Sequence, residues 1–482
     1  MDLGALTGDP ALAGTEISDL VHSSSDAVPG SLFICVKGFS SDGHDFAPDA
    51  IARGAVALVC ERPLDLGVPE LVVEDARAMM PKLAKRFFGD PSRELELIGI
   101  TGTNGKTTIA HLLRQLMLEA GRPCGMIGTV SWVIGGEEFP AVRTTPESIE
   151  LVRALRAVAD SGEELCAIEV SSHALELGRV DELAFAAAIF TNLTQDHLDF
   201  HESMEDYFAA KRLLFSSHPG VSIVNSDDAY GRRLIEEFEC TSYSTIGSEA
   251  DFVASDIEFD ATGSRFNVQF ADGSIELATP LPGEYNVSNV LATFAAAVAL
   301  GVEPAMAAHA LASAPGAPGR LESVPNDLGI GVYVDYAHTP DSVENVLRAA
   351  RGLPHEKLAI VVGCGGDRDR NKRPLMGAAA ADGADVVYVT SDNPRSEDPA
   401  AIIEEVLVGA REAAAESGAE VVVEVDRRAA IERALAAAGP GDLVVIAGKG
   451  HEQGQEFADG RQIPFDDVTV ARESLAVLDV TQ

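Results

Sequence analysis

The sequence predicts an α/β protein of three domains, on two observations. A short β-branched run, a Gly or polar loop and an Ala/Leu-rich helical stretch recur along the chain in that order, the signature of βαβ units around a mostly parallel sheet. The 482 residues, 46% of them apolar, make about three domains of ordinary size with ample material for packed cores. The expected domains are residues 1–92, 93–317 and 318–482.

In the first, SLFICVKG (31–38) and AVALVC (55–60) read as buried strands, and MMPKLAKRFFG as a helix that ends before Asp90-Pro91. The second opens on LELIGITGTNGKTT (95–108), where a strand runs through a Gly-rich loop into an apolar helix. Its further strands are CAIEV (166–170), AAIFTNL (187–193) and SIVNS (222–226), and the Pro/Gly-rich APGAPGR (314–320) reads as a hinge. The third holds LAIVVGCGGD (358–367), DVVYVTSDNPR (385–395) and DLVVIAGKGHE (442–452), each a buried run passing into a Gly or charged loop. Ligands of open α/β sheets lie beyond the carboxyl ends of the strands, so these loops are expected to line one site.

Composition narrows the function classes. Lys plus Arg is 36 and Asp plus Glu is 76, and 36 − 76 leaves −40, with no basic block able to follow a phosphate backbone. No nucleic-acid partner is expected. The opening MDLGALTGDPALAG lacks the order of a signal peptide, and no run of about 18 apolar residues occurs, so a cytoplasmic protein without membrane insertion is expected. Six scattered cysteines with no CxxC pair read as buried thiols.

The loop Gly102-Thr103-Asn104-Gly105-Lys106-Thr107-Thr108 is the strongest local signal. Backbone N–H groups at such a strand-to-helix turn cradle phosphates, the lysine reaches the terminal phosphates, and a Thr hydroxyl can hold Mg²⁺. Ile100 stands where the general pattern has its first Gly. Only eight of the 36 basic residues are Lys, so Arg fills most positions where any cation serves. Lysines in special surroundings thereby gain weight, since an ammonium can lose its proton and react as a guanidinium cannot. Lys106, Lys372 and Lys449 lie in Gly-rich loops and Lys211 in YFAAKRLLF.

With GTNGKTT followed in order by IEVSSHAL, TNLTQDHLDFH, YFAAKRLLF, YNVSNVLAT, VDYAHTPDSVENVL, GCGGDRD, DNPR and GKGHE, the chain resembles the ATP-dependent Mur ligases over nearly its whole length. Within them it is similar to the branch that adds a diamino acid as the third peptide residue. The resemblance implies an N-terminal uridine-binding α/β domain, a central P-loop ATPase-like parallel-sheet domain and a C-terminal Rossmann-like α/β domain that binds the amino acid. It implies an amide-forming reaction in which ATP phosphorylates a substrate carboxylate and an amine displaces phosphate. The substrates implied are ATP, UDP-N-acetylmuramoyl-L-alanyl-D-glutamate and meso-2,6-diaminopimelate, and a monomer is expected.

Residue by residue, the resemblance makes Lys106, Lys211, Glu169 and His197 catalytic. Thr107, Glu169, His197 and Lys211, the last as a CO₂-derived carbamate, become Mg²⁺ ligands. ATP contacts fall on Gly102 to Thr108, Asn289, Arg320, Asp335 and His338. Contacts to the UDP-linked substrate fall on Ser24, Thr144, Thr145, Ser171 and Arg179; here Ser23-Ser24-Ser25 stands where the family often has Asp-Ser-Arg. Diaminopimelate contacts fall on Arg368, Asp392, Asn393, Pro394, Arg395, Gly448 and Glu452, and Asn371 replaces a Gly common before KRP. A guanidinium fork such as that of Arg395 suits the distal carboxylate that L-lysine lacks.

Rival readings are the same ligase with L-lysine or another diamino acid, a folylpolyglutamate or cyanophycin synthetase, a non-catalytic scaffold of this fold, and a P-loop ATPase without ligation. His197 and His201 at spacing four also admit a zinc helix, for which no third protein ligand presents itself.

Overall fold

The computed structural model describes residues 1–482 apart from 39, 40, 142, 197–199, 218, 248, 261, 262 and 482. The chain forms two compact units: Met1–Ala254 with Gln269–Ile275 and Leu291–Ala310, and Ser255–Val268 with Glu276–Val290 and Leu311–Gln482. The α/β expectation holds in both.

The first unit begins with four parallel strands, Asp19–Val21, Ser31–Ile34, Ala57–Cys60 and Glu70–Val72, paired in that order. Helix Ala76–Phe88 follows, its N-terminus capped by Asp75 accepting from the Ala78 N–H, its end marked by Gly89 at φ +79°. Met80 and Leu83 of this helix pack on Leu20, Leu32 and Val59, which is why its apolar residues recur at helical spacing.

The central sheet of this unit carries the parallel order Thr241–Ser244, Val221–Asn225, Phe185–Phe190, Glu96–Thr101, Leu165–Glu169, Cys124–Ile127. Ser131–Ile134 and Glu137–Pro140 extend one edge antiparallel. The strands are buried along nearly their whole length, as parallel strands covered on both faces require. Glu96–Thr101 lies between Phe185–Phe190 and Leu165–Glu169, so chain connections leave it in both directions and open a crevice at its carboxyl end.

The second unit holds Glu322–Ser323, antiparallel, followed by parallel Gly331–Asp335, Leu443–Ala447, Leu358–Val362, Val386–Val389 and Glu420–Val423. Alternation divides its core: Ile360 and Val362 face Val343, Met376 and Val406, while Val361 faces Ala430, Ile431 and Val470 on the other side. The buried runs pass into loops as the sequence predicts, the strands ending at Val362, Val389 and Ala447 and the loops beginning at Gly363, Thr390 and Gly448. Among the described residues no helix is long and apolar enough to cross a membrane.

Candidate active site

The phosphate loop has the predicted form. Strand Glu96–Thr101 gives way to Gly102 at φ +141° and Gly105 at φ +92°, and helix Lys106–Glu119 starts immediately. A Cβ on Gly102 would collide with the Thr191 hydroxyl, so close packing as well as backbone angle requires glycine there. The loop is held in shape from the neighbouring strand end. The Asn104 N–H donates to Asn192 Oδ1 at 3.0 Å, and the Thr191 hydroxyl donates to the Asn104 carbonyl at 2.6 Å. The first turn of the helix aims its N–H groups into the crevice, the arrangement that favours an anion.

Glu169 ends the adjacent strand Leu165–Glu169 and is buried. Its carboxylate accepts from the Thr107 hydroxyl at 2.9 Å, the Thr129 hydroxyl at 2.9 Å and the Thr129 N–H at 2.8 Å. Gly128 makes room for it, since a Cβ there would strike Oε1. Thr107 and Glu169 thus present hard oxygen donors side by side, the chemistry Mg²⁺ takes. His197, the other expected ligand, lies outside the described residues. Among the described residues no group of three or more His, Cys, Asp or Glu side chains gathers as a metal cluster, and His201 pairs through Nε2 with the Ser172 hydroxyl at 2.9 Å.

Lys211 comes from helix Met204–Ser216 and is fully enclosed, 1% exposed. Its Nζ donates to the Gly102 carbonyl at 2.9 Å, and Lys106 Nζ donates to that same oxygen, also at 2.9 Å, and to Thr103 O. Two ammonium groups therefore share one acceptor. Burial first, and the positive charge of Lys106 second, push the Lys211 amine well below the ordinary lysine range. A readily neutral amine is the form that reacts with CO₂.

Beside this cluster, Thr145 donates to the Glu169 carbonyl at 2.7 Å and accepts from the Ser171 N–H at 3.1 Å, while the Thr144 and Thr129 hydroxyls lie 3.0 Å apart. Arg179 donates to the Thr145 carbonyl at 3.0 Å. The expected substrate residues Thr144, Thr145, Ser171 and Arg179 are thus one connected network with Glu169. Ser24 stands apart from it, opening the short turn Ser24–Asp26, with its hydroxyl bonded to Asp49.

In the second unit the loops beyond the strands converge. Lys449 is completely buried, and its Nζ lies 2.9 Å from Asn393 Oδ1, 3.0 Å from Glu452 Oε2 and 3.4 Å from Asp392 Oδ1. Asn393 donates in turn to Glu452 at 2.8 Å. Burial pushes the Glu452 carboxyl up, but Lys449 and the Asn393 amide outweigh it and hold the carboxyl below its ordinary range. Gly448, at φ +117°, lets Asp392 approach. Arg395, after Pro394, donates through Nε to Glu456 at 2.9 Å and through Nη1 to the Gly366 carbonyl at 2.9 Å. Arg368 is exposed and donates to the Asp367 carbonyl at 3.0 Å.

Arg320 lies over the Tyr336 ring, 5.0 Å from its centre. Asp335 accepts from the Leu321 and Ala337 N–H groups at 2.7 and 2.8 Å; desolvation raises its carboxyl against the pull of Arg320. His338 turns Nδ1 to the Tyr336 carbonyl at 2.8 Å. Asn289 is buried on helix Glu284–Ala299, its amide 3.4 Å from Asn286 Oδ1.

Comparison with known proteins decides the family. The chain matches the Mur ligase family catalytic domain over residues 16–88, the Mur ligase middle domain over 100–297 and the Mur ligase glutamate ligase domain over 319–450. It is 46% identical over 478 residues to the UDP-N-acetylmuramoyl-L-alanyl-D-glutamate–2,6-diaminopimelate ligase of Geobacillus thermodenitrificans, covering 97% of this chain and 96% of that one. The chain belongs to the Mur ligase family. A solved structure of a ligase of that same name matches it with a TM-score of 0.73 at 33% identity, covering 99% of both chains. The Mur ligase fold also extends to the MurF ligase of Thermotoga maritima in complex with ADP, with a TM-score of 0.62 at 20% identity over 97% of this chain and 99% of that one.

Within this Mur ligase, sequence reasoning missed Gly128 and Thr129, which shape and hold the Glu169 carboxylate across 40 residues of chain. It also gave Lys449 no task beyond its rarity. Lys449→Met should leave the buried Asp392 and the half-buried Glu452 without their shared cation. A stability loss of about 3 kcal/mol is expected in a denaturant melt; a loss indistinguishable from zero would mean that Lys449 is dispensable there.

Proposed function

We infer that this chain is an ATP-dependent ligase that joins meso-2,6-diaminopimelate to the D-Glu of UDP-N-acetylmuramoyl-L-alanyl-D-glutamate, a step of peptidoglycan precursor synthesis. The observation that carries the reading is the meeting of Lys106, Lys211, Thr107 and Glu169 at one strand-to-helix turn: two lysines on one carbonyl beside a threonine–carboxylate pair. A scaffold has no use for two lysines crowded on one acceptor, whereas phosphoryl transfer is mostly placement and charge neutralisation. In this reading residues 1–92 bind the UDP moiety, 93–317 bind ATP and 318–482 bind the amino acid.

The loop N–H groups and Lys106 would hold the ATP phosphates. Thr107 and Glu169, with Lys211 as its carbamate, would hold Mg²⁺, and the metal when bound neutralises phosphate charge. The D-Glu γ-carboxylate then attacks the γ-phosphate, and the amine of diaminopimelate displaces phosphate from the acyl phosphate. Arg320 would reach the ATP phosphates, Asn289, Asp335 and His338 the nucleoside. Asp392, Asn393 and Glu452 would meet the polar groups of the amino acid, and Arg395 its distal carboxylate. We take the protein to act in the cytoplasm as a monomer, on small molecules alone.

The test is phosphate release from ATP and Mg²⁺ with the UDP-linked dipeptide and meso-diaminopimelate, L-lysine or no amino acid, with product mass read alongside. Release only with diaminopimelate supports the reading; equal release with lysine overturns the specificity, and none with either overturns the function. In the same assay Arg395→Lys should narrow the preference for diaminopimelate over lysine about a hundredfold, since a lysine cannot form the two-pronged contact. An unchanged ratio would remove Arg395 from the specificity site.

A further inference from the structure

Three segments of the second unit close on one another through glycine. A Cβ on Gly319 would strike the His451 backbone nitrogen, one on Gly450 would press on Tyr336, and the Tyr336 N–H donates to the Gly319 carbonyl at 2.9 Å. His451 stands where they join. Its ring lies 5.1 Å from that of Tyr336, the ring over which Arg320 sits, and Glu452 follows it in the chain. The arginine assigned to the ATP phosphates and a carboxylate assigned to the amino acid thus both bear on one imidazole.

That imidazole is not spent on the fold. His451 is half-buried, its Nδ1 is enclosed without a hydrogen-bond partner among the described residues, and Nε2 is the nitrogen left open. Burial first and the charge of Arg320 second hold the ring below the ordinary histidine range, against the pull of Glu452, whose own charge is paired with Lys449 at 3.0 Å. Tyr336, raised by burial, and His338, lowered by burial, bring no charge to it near pH 7. A ring that is neutral at pH 7 and acidic once protonated can take up a proton and give it away.

We propose that His451 is the catalytic residue that carries a proton from the attacking amine of diaminopimelate to the phosphate it displaces; the proposal deepens the function inferred above and rests on it. The free amine brings its electron pair to the acyl carbon, and its nitrogen becomes cationic as the C–N bond forms. Nε2 takes a proton from that nitrogen. The C–O bond to the phosphate breaks with its electron pair kept by the phosphate oxygen, and the imidazolium gives the proton to that oxygen. Amide and hydrogen phosphate result, and the ring is neutral again for the next turnover.

The test uses the full chain and separates acyl-phosphate formation from amine attack. Hydroxylamine, a neutral nucleophile at pH 7, traps an acyl phosphate as a hydroxamate without help from a base. His451→Gln should form hydroxamate from ATP, Mg²⁺ and the UDP-linked dipeptide within about twofold of the wild type, while kcat for ligation of diaminopimelate falls about a hundredfold. Wild-type kcat should also fall as pH drops through the depressed pKa of the ring, and the variant should lack that acid limb. His451→Asn gives the same readings if Gln disturbs the loop. Equal losses of hydroxamate and ligation would make His451 a structural residue and overturn the proposal, as would unchanged ligation or an acid limb kept by the variant. A wild type that makes neither hydroxamate nor tripeptide fails the function itself, before any variant is read.

Discussion

Lys211→Met should lower kcat about a thousandfold while leaving the fold intact, because it removes the amine that, as its carbamate, would hold Mg²⁺ where negative charge develops. The enclosure of Lys211 and the neighbouring Lys106 disfavour the ammonium, so the lysine is poised to be neutral and to take up CO₂. Wild-type activity should therefore fall in buffer stripped of CO₂ and return on adding bicarbonate, and the variant should respond to neither. The same depression has a signature in stability. With the folded-state pKa below the unfolded one, the unfolded chain binds an extra proton between the depressed value and about 10.5, so stability rises with pH across that window, by at most about 1.4 kcal/mol per unit. In CO₂-free buffer the wild type should thus gain on Lys211→Met as pH rises through that window, and lose ground as pH falls. Parallel curves would mean that Lys211 titrates as an ordinary lysine.

Glu169→Gln should cost as much activity for a different reason. The carboxylate accepts three hydrogen bonds, from the Thr107 hydroxyl and from both the hydroxyl and N–H of Thr129. An amide keeps the shape but brings two donors against donors, and removes the charge that a divalent cation needs. A loss of about a thousandfold in kcat/KM is expected, with the Mg²⁺ concentration for half-maximal rate raised; the stability loss should stay near 1–3 kcal/mol, the cost of an unpaired buried donor. Full activity at ordinary Mg²⁺ would take Glu169 out of the site.

How much of this was legible in the sequence depended on distance along the chain. The phosphate loop is local: a buried strand, two loop glycines, a lysine and the start of a helix within 14 residues, and the pattern leaves little room for another conformation. Lys211 was legible by scarcity and motif, but its enclosure follows from Met204–Ser216 packing beneath the loop, which only the fold supplies. Strand ends were overrun where apolar residues continue into loops: AAIFTNL reads as strand to residue 193, yet pairing stops at Phe190 because Thr191 and Asn192 turn to hold the phosphate loop. The salt bridge of Arg77 with Glu147 spans 70 residues, and no spacing announces it. Thr129 was invisible for the same reason: a threonine after a glycine is ordinary turn chemistry until Glu169 is brought against it.

On the proposed reading this site activates a carboxylate as an acyl phosphate for attack by an amine. The most direct measurement follows oxygen: the UDP-linked dipeptide is labelled with oxygen-18 in the D-Glu γ-carboxylate, and the phosphate released in the presence of meso-diaminopimelate is analysed by mass. Transfer of one labelled oxygen into phosphate, matched mole for mole by the tripeptide product, is the predicted result. Unlabelled phosphate would mean that water attacks ATP, and would contradict the account.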